Sequence, residues 1–512
     1  MNDKILRGGS VVCDARCRDG AVISDGAVAV HGDTITHVGP FAQIRARFMH
    51  AEVIGTTQHV VLPGLINTHH HGWGVTPFQL GAKDELLESW ILQFVRAMRP
   101  LDPYLDTLWA DLQNIRSGVT TVLHAGVGRE WGAYEAEVRE KLRAHADSGI
   151  RAAYALHVRD QNSFVYEDDE KFLSSLPPGL ARRLRALVSE LAPLSVDGIF
   201  SLLERLVEEY DGHPRLSIMI CPIGPQWCSD DLLRRVRVAA NDLGVLIHLH
   251  CLESPYQREY GHRAYGTGTI RHLYDLDFLD STVSLGHAVW LSDEEIGICA
   301  ATGTSVCHNA SSNLRLRVGI LPLPRLLDEG VNVSIGMDGT ALNDDEDMLQ
   351  ELRLIAKVHG LPQALPLPVP SSLDVLRMAT ANGATTLGLD STIGVIQPGK
   401  KADAVLVKTD RIVRPYLHPD TDPIDAILYR ASGVDVDTVV IAGDIVLRDG
   451  QFTRVDADAI LSRLTEAASI GPPDVYARWF RALEEVEPFV RAFWRDWPSP
   501  PGNPYYRTNL PT

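Results

Sequence analysis

Apolar and polar positions alternate in three textures along the chain. From Ile5 to about Ile54, short β-prone runs such as VAVHGDTITHVG are broken by Gly and Asp pairs, which predicts hairpins in a small antiparallel sheet. Between about His59 and Leu389 the rhythm becomes short apolar runs separated by longer amphipathic stretches, such as DELLESWILQFVRAMR and DDLLRRVRVAANDLG. That is the βα alternation of a parallel sheet. Eight strands are predicted, beginning near Val60, Thr120, Ala152, Leu216, Val245, Thr282, Thr304 and Val331. Eight such units match a closed (β/α)8 barrel. An open doubly wound sheet is the alternative, but no glycine-rich dinucleotide fingerprint follows the early strands.

Beyond Ser391 the hairpin texture returns in IGVIQPGKKADAVLVK and DTVVIAGDIVLRDGQF. The fold class is therefore read as α/β: a TIM barrel over 59–390, beside a sandwich-like β domain built from 1–58 and 391–455. The tail, 456–512, holds two helical stretches, Trp479, Trp494 and Trp497, and a Pro-rich end. So much aromatic surface is seldom left in water, so the tail is expected to pack on the body or on a neighbouring subunit of a homo-oligomer.

Charge and cysteine content narrow the function class. Forty-eight basic against 66 acidic side chains give a net charge of -18, which argues against nucleic-acid or anionic-membrane partners and for a small-molecule substrate. Seven cysteines without a CxxC pair build neither a disulfide framework nor a zinc knuckle. The start, MNDKILRGGS, has no apolar core of a signal peptide, and no apolar run approaches the roughly 18 residues of a membrane span. A soluble cytoplasmic protein is expected.

Chemistry-bearing residues gather where the predicted strands end, the face on which barrels keep their active sites. The first strand ends Asn67-Thr68-His69-His70-His71. Residues two apart in an extended segment share a side, so His69 and His71 can converge on one metal while His70 points away. The fifth ends His248-Leu249-His250-Cys251-Leu252-Glu253. His250 is a third ligand, with His248 its competitor, and Glu253 can reach over the metal as a proton shuttle. His287 ends the sixth strand, and Asp338 follows the apolar VNVSIGM between two glycines. A carboxylate there is costly unless it binds a metal or is otherwise paired. Each feature alone could be a solvated turn or a cap; together they form a specific set of ligands. Trp73, Phe78, Gln79, His157, Arg159, Gln226 and Trp227 follow barrel strands and are candidates for the substrate pocket, with ordinary packing as the competing reading. Arg159 either clamps a substrate carboxylate or carbonyl, or is tied down by Asp160, Glu167 or Asp168.

In PGLINTHHH, SGVTTVLHAG, HLHCLES, GHAVWLSDEEI, HNASSNLRLRVGILPLPRLLDEGVNVSIGMDG and ATANGATTLGLDSTIGVIQPGKKADAVLV the chain resembles the amidohydrolase superfamily, in the branch of cytosine and guanine deaminases and triazine hydrolases. The resemblance implies His69, His71, His250 and Asp338 as metal ligands, Glu253, His287 and Asp338 as catalytic groups, and His308, Asn309, Ser312 and Asn313 as the loop shaping the site, with Asn309 also a pocket candidate. The tail lies outside it, and GWGVTPFQLGAKDE after the histidines departs from the usual pattern. Binuclear members bridge two metals with a carboxylated lysine, usually from the fourth strand. Here that strand, LSIMICPIG, has none, nor does any lysine end a predicted strand. One divalent metal per subunit is expected, Zn2+ by default and Fe2+ as the alternative.

With a metal-activated water, Asp338 and Glu253 are expected to accept its proton, His287 to steady the developing oxyanion, and Glu253 to protonate a departing nitrogen. Deamination of an aminated N-heterocycle is the first reading. Hydrolysis of an amide, urea or cyclic amide is the second. A catalytically silent binding paralogue is the third, and its sign, loss of ligands, is missing.

Overall fold

The computed structural model describes residues 3–17, 22–360, 368–495 and 497. The Pro-rich end from 498 lies outside them.

Eight strands, Leu65–His70, Val119–Gly126, Arg151–Val158, Leu216–Pro222, Ile247–Cys251, Val283–His287, Ser305–His308 and Val333–Ile335, lie side by side in chain order. All their pairings are parallel. The ring closes where Met337 N and Asp338 N donate to His69 O at 3.2 and 2.8 Å. Period-two alternation sorts each strand into two faces. Leu123, Ala125, Ala153, Ala155, Met219 and Cys221 form an inner layer with Ile66. Val122, Tyr154, Leu156, Ile218 and Ile220 face the surrounding helices. The helix Ala381–Thr386 stops the lower end, and its Gly383 is required there: a Cβ would stand 2.9 Å from Ile66 Cβ.

One expectation needs correcting. The run VVLPGLINT, read as a single first barrel strand from Val60, is two strands in different sheets. His59–Pro63 belongs to the β domain, and the barrel strand begins at Leu65. Both pieces are fully buried, so hydropathy alone could not divide them. The hinge is Gly64, where a Cβ would lie 2.1 Å from Thr120 Oγ1.

The β domain is one nine-stranded sheet in which N- and C-terminal pieces meet: His59–Pro63 pairs antiparallel with Ala404–Lys408. Along Lys4–Val12 and Val22–His31, Leu6, Val28 and Val30 turn to one core, shared with Leu406 and Val440, while Ile5, Ala27 and Ala29 turn to another. The sheet curls until its remote turns touch. Gly443, at φ +76°, has no room for a Cβ, which would fall 1.9 Å from Gly32 O.

The tail forms two helices. Ala457–Ser469 packs on Pro103–Arg116, and Asp474–Arg495 lies across Leu87–Ala97 and Pro178–Leu191. Tyr476, Trp479, Leu483, Val486, Val490 and Trp494 recur at helical spacing and are buried. At about 1.5–3 kcal/mol for each large apolar side chain buried, that stripe fixes the helix to the body of its own chain. The most apolar helical stretch, Pro178–Glu209, passes the length and composition of a membrane span. It is two 14-residue helices broken at left-handed Ala192, each shorter than the roughly 20 residues a span needs, and each buries leucines inside the protein.

Candidate active site

His69, His71, His250, His287, Glu253 and Asp338 meet at the mouth of the barrel. Ligand atoms of His69, His250, His287 and Asp338 all lie within 4.8 Å of one another. His69 Nε2 and His71 Nε2 are each 3.0 Å from Asp338 Oδ1, and His287 Nε2 is 3.9 Å from Asp338 Oδ2. Glu253 Oε1 stands 3.7 Å from His287 Nδ1. Ile66 faces the inner layer, so simple alternation would turn His69 and His71 outward. An irregularity in the ladder between Asn67 and His70 resets the phase and brings both inside. His70 goes the other way, to Glu346 Oε2 at 3.2 Å.

The remaining ring nitrogens are held by partners behind the site. His71 Nδ1 pairs with Ala125 O at 2.9 Å, His250 Nδ1 with Ile223 O at 2.9 Å, and His287 Nδ1 with Asn313 Oδ1 at 2.9 Å. His69 Nδ1 is 2.7 Å from His248 Nε2, which places His248 behind His69 and leaves the inner position to His250. Ser312 Oγ donates to Asp338 Oδ2 at 2.5 Å. Such partners fix ring orientation and tautomer at metal sites. His287 and Asp338 sit at φ +69° and +63°, the left-handed region in which non-glycine residues are strained and which clusters at functional sites.

Burial sets the charges. It pushes His69 well below the usual imidazole range and His250 down to about 3, with His71 and His287 adding to the effect on His250. It lowers His287 as well. Burial would raise Asp338, but His69 and His71 beside it hold the carboxylate well below its ordinary range. Glu253 goes the other way, raised well above it by burial and by Asp338. Burial thus favours the neutral rings of His69, His250 and His287, their company favours the ionised form of Asp338, and the surroundings of Glu253 favour its protonated form. Neither His69 Nε2 nor His287 Nε2 has a hydrogen-bond partner among the described residues, although both are buried. Orphaned nitrogens aimed at an ionised carboxylate fit a divalent cation.

Above the cluster opens a cavity of about 490 Å3. Of the pocket candidates, Trp73, His157, Arg159 and Trp227 line it. Trp73 stacks on His71 at 4.6 Å, and the His157 ring is 6.3 Å from that of His71. The Arg159 side chain makes no hydrogen bond or close ion pair among the described residues; burial lowers its pKa, and Asp169 acts on it only through space. Asp160 takes Ser229, Glu167 takes Lys171, Asp168 caps the helix Asp169–Ser174, and Asp169 takes Ser163 N.

Four candidates are not brought to the cavity. Phe78 is 55% exposed with the Arg315 guanidinium over its ring, and the Gln79 side chain closes a turn onto Thr76 N. Gln226 is buried beside the cavity, and Asn309 stands behind the cluster against Gly336. The long segment after the histidines explains the first two: it loops back to the surface before the next helix.

Sequence reasoning missed two features. Glu88 is buried in the cavity wall, bonded to Ser254 Oγ and to Tyr166 OH at 3.3 Å. Burial, with Glu253 nearby, raises it to about 7. No pattern marks it, since an acid in an amphipathic helix reads as surface. The second is the tail helix, whose Tyr476, Trp479, Phe480, Leu483 and Trp494 complete the cavity wall.

Residues 60–446 match the Amidohydrolase family, and the chain belongs to it as a metal-dependent hydrolase of carbon-nitrogen bonds. It is 32% identical over 421 residues to the 5'-deoxyadenosine deaminase of Methanothermobacter thermautotrophicus, covering 81% of this chain and 88% of the relative. It is also 32% identical over 457 residues to the 5-methylthioadenosine/S-adenosylhomocysteine deaminase of Moorella thermoacetica, covering 87% and 95%. The crystal structure of a zinc-bound adenosine deaminase from Xanthomonas campestris superposes with a TM-score of 0.75 at 25% identity, covering 91% of this chain and 98% of that one.

Proposed function

We propose that the protein hydrolytically deaminates an aminated N-heterocycle, with aminopurines first in line because its relatives are named as deaminases of adenosine derivatives. The observation that carries this reading is the convergence of His69, His250, His287 and Asp338 beside Glu253, whose pKa burial and Asp338 raise. His69, His71, His250 and Asp338 would hold one zinc ion per subunit. The lysine-free fourth strand supports one metal, and the zinc-bound neighbour supports zinc. A divalent metal there supplies a Lewis acid that activates water near neutral pH.

The chain's own groups do the rest. His287, its Nδ1 tied to Asn313, presents Nε2 to the reacting oxygen and steadies charge on it. Glu253 gives its proton to the ring nitrogen, and Asp338 accepts the proton of the attacking water and passes it to the leaving amine, which departs as ammonia. Trp73 offers a ring face beside His71 for a flat substrate.

The test is ammonia release from aminopurines, aminopyrimidines and pterins by the zinc-loaded protein, with Glu253→Gln beside it. A loss of about 100- to 10,000-fold at unchanged zinc content is expected. Near-normal turnover in Glu253→Gln would refute its role, and carboxylate appearing from amides without ammonia from any amine would replace deamination with amide hydrolysis. Seven free cysteines, five of them buried, support a cytoplasmic setting. A homo-oligomer stays part of the reading, though the tail helix no longer argues for it, since its aromatic face is covered by its own chain. Light scattering decides it.

A further inference from the structure

The cavity is larger than the chemistry needs. At about 490 Å3 it falls in the range of roughly 300–1,000 Å3 that encloses a drug-sized ligand, whereas a bare aminated ring fills only the end beside the histidines. From that end a run of rings leads away: His71 on Trp73 at 4.6 Å, Trp73 on Phe94 at 5.1 Å, and Phe94 on Trp90 at 4.9 Å. The opposite wall is the helix Asp474–Arg495, which begins after the family match has ended at residue 446. Trp479 is central to it. Its ring meets Trp131 at 5.9 Å and Phe164 at 6.4 Å, it is 4% exposed, and its Nε1 has no hydrogen-bond partner among the described residues. Leu483, one turn on, lines the same space, with Ile91, Val95 and Val188 facing it.

We propose that this C-terminal helix is a specificity wall, and that the substrate has two parts: an aminated heterocycle at the histidine end, and an apolar, ring-bearing arm that packs against Trp479 and Leu483. The cavity's chemistry selects the arm. The flat aromatic faces beside Trp479 and Leu483 favour an edge-to-face or offset ring, while Arg159, on the same cavity wall, marks where a polar group of the substrate could be met. The unpaired indole nitrogen leaves one acceptor on the arm accommodated, as in an ether or thioether.

The inference rests on the deaminase reading, and the experiment separates the two. Paired probes are used: adenine with 9-(3-phenylpropyl)adenine, and cytosine with 1-(3-phenylpropyl)cytosine. Calorimetric binding to zinc-loaded Glu253→Gln should favour the armed member of a pair at least about tenfold. Equal binding of bare and armed members in both pairs overturns the wall without any variant of the wall itself having to fold. In the active enzyme, Trp479→Ala should cut the armed-to-bare ratio of kcat/KM at least about tenfold, through KM, and Trp479→Phe should restore most of it. An unchanged ratio in soluble Trp479→Ala also overturns the proposal. Arm-dependent binding with no ammonia from any probe would leave the wall standing and sink the deamination.

Discussion

At the histidine end of the cavity, His71, His250 and His287 each commit one ring nitrogen to an oxygen behind them, and Asp338 is gripped by Ser312. At the other end, Trp479 Nε1 and Trp494 Nε1 are buried with no hydrogen-bond partner among the described residues, and the Arg159 guanidinium lines the same cavity with Asp169 acting on it only through space. One end is over-determined and leaves the reaction a single geometry. The other is built of large shapes and idle donors, and its order is completed by what binds. The division partly follows the chain: the fixed end lies within the family match, whereas Tyr476, Trp479, Phe480, Leu483 and Trp494 of the adaptable end lie beyond it.

Substitutions should expose that contrast. Asp338→Ala removes the carboxylate shared by His69 and His71; metal content measured by mass spectrometry should collapse, and turnover should fall at least about 1,000-fold. Asn313→Ala frees His287 to rotate, and a loss of about 10- to 100-fold in kcat is expected while zinc stays bound. If kcat were untouched, the backing of the fixed end would be ornamental. At the adaptable end, Arg159→Ala should raise KM by about tenfold for substrates bearing an anionic or carbonyl acceptor and leave kcat alone. A fall in thermal stability would instead mark Arg159 as structural.

The smallest effect is a pH dependence. Glu88 titrates near 7 when folded, above the ordinary value of 4.5. Between pH 4.5 and 7 the folded protein keeps a proton that the unfolded chain has lost, so stability falls as pH rises through that window, by up to about 3 kcal/mol. Glu88→Gln should flatten this slope, read as melting temperature at pH 5 against pH 8.

The eight-strand rhythm and the strand-end residues were legible because both are local. A βα unit shows its period, and His69, His71, His250, His287 and Asp338 sit at positions that a strand must carry to one face. What stayed hidden depends on long-range contact. The break at Gly64 lies inside one apolar run whose halves bury against different sheets. Phe78 and Gln79 sit close to the histidines in sequence, yet their loop returns to solvent. Glu88 owes its raised pKa to burial and to Glu253, distant in the chain, against the opposing bond from Ser254, and Trp479 becomes part of the site only through the helices it crosses.

The pairing of His59–Pro63 with Ala404–Lys408 also constrains biosynthesis. The segment leading directly into the histidine strand has its neighbour made last: at about 5–20 residues per second, residue 404 leaves the ribosome roughly 20–70 s after residue 63. For that interval one edge of His59–Pro63 is an open template for other strands. Expression should therefore respond to chaperones and to slowed induction, and chains cut before residue 404 should aggregate even though the whole barrel precedes the cut.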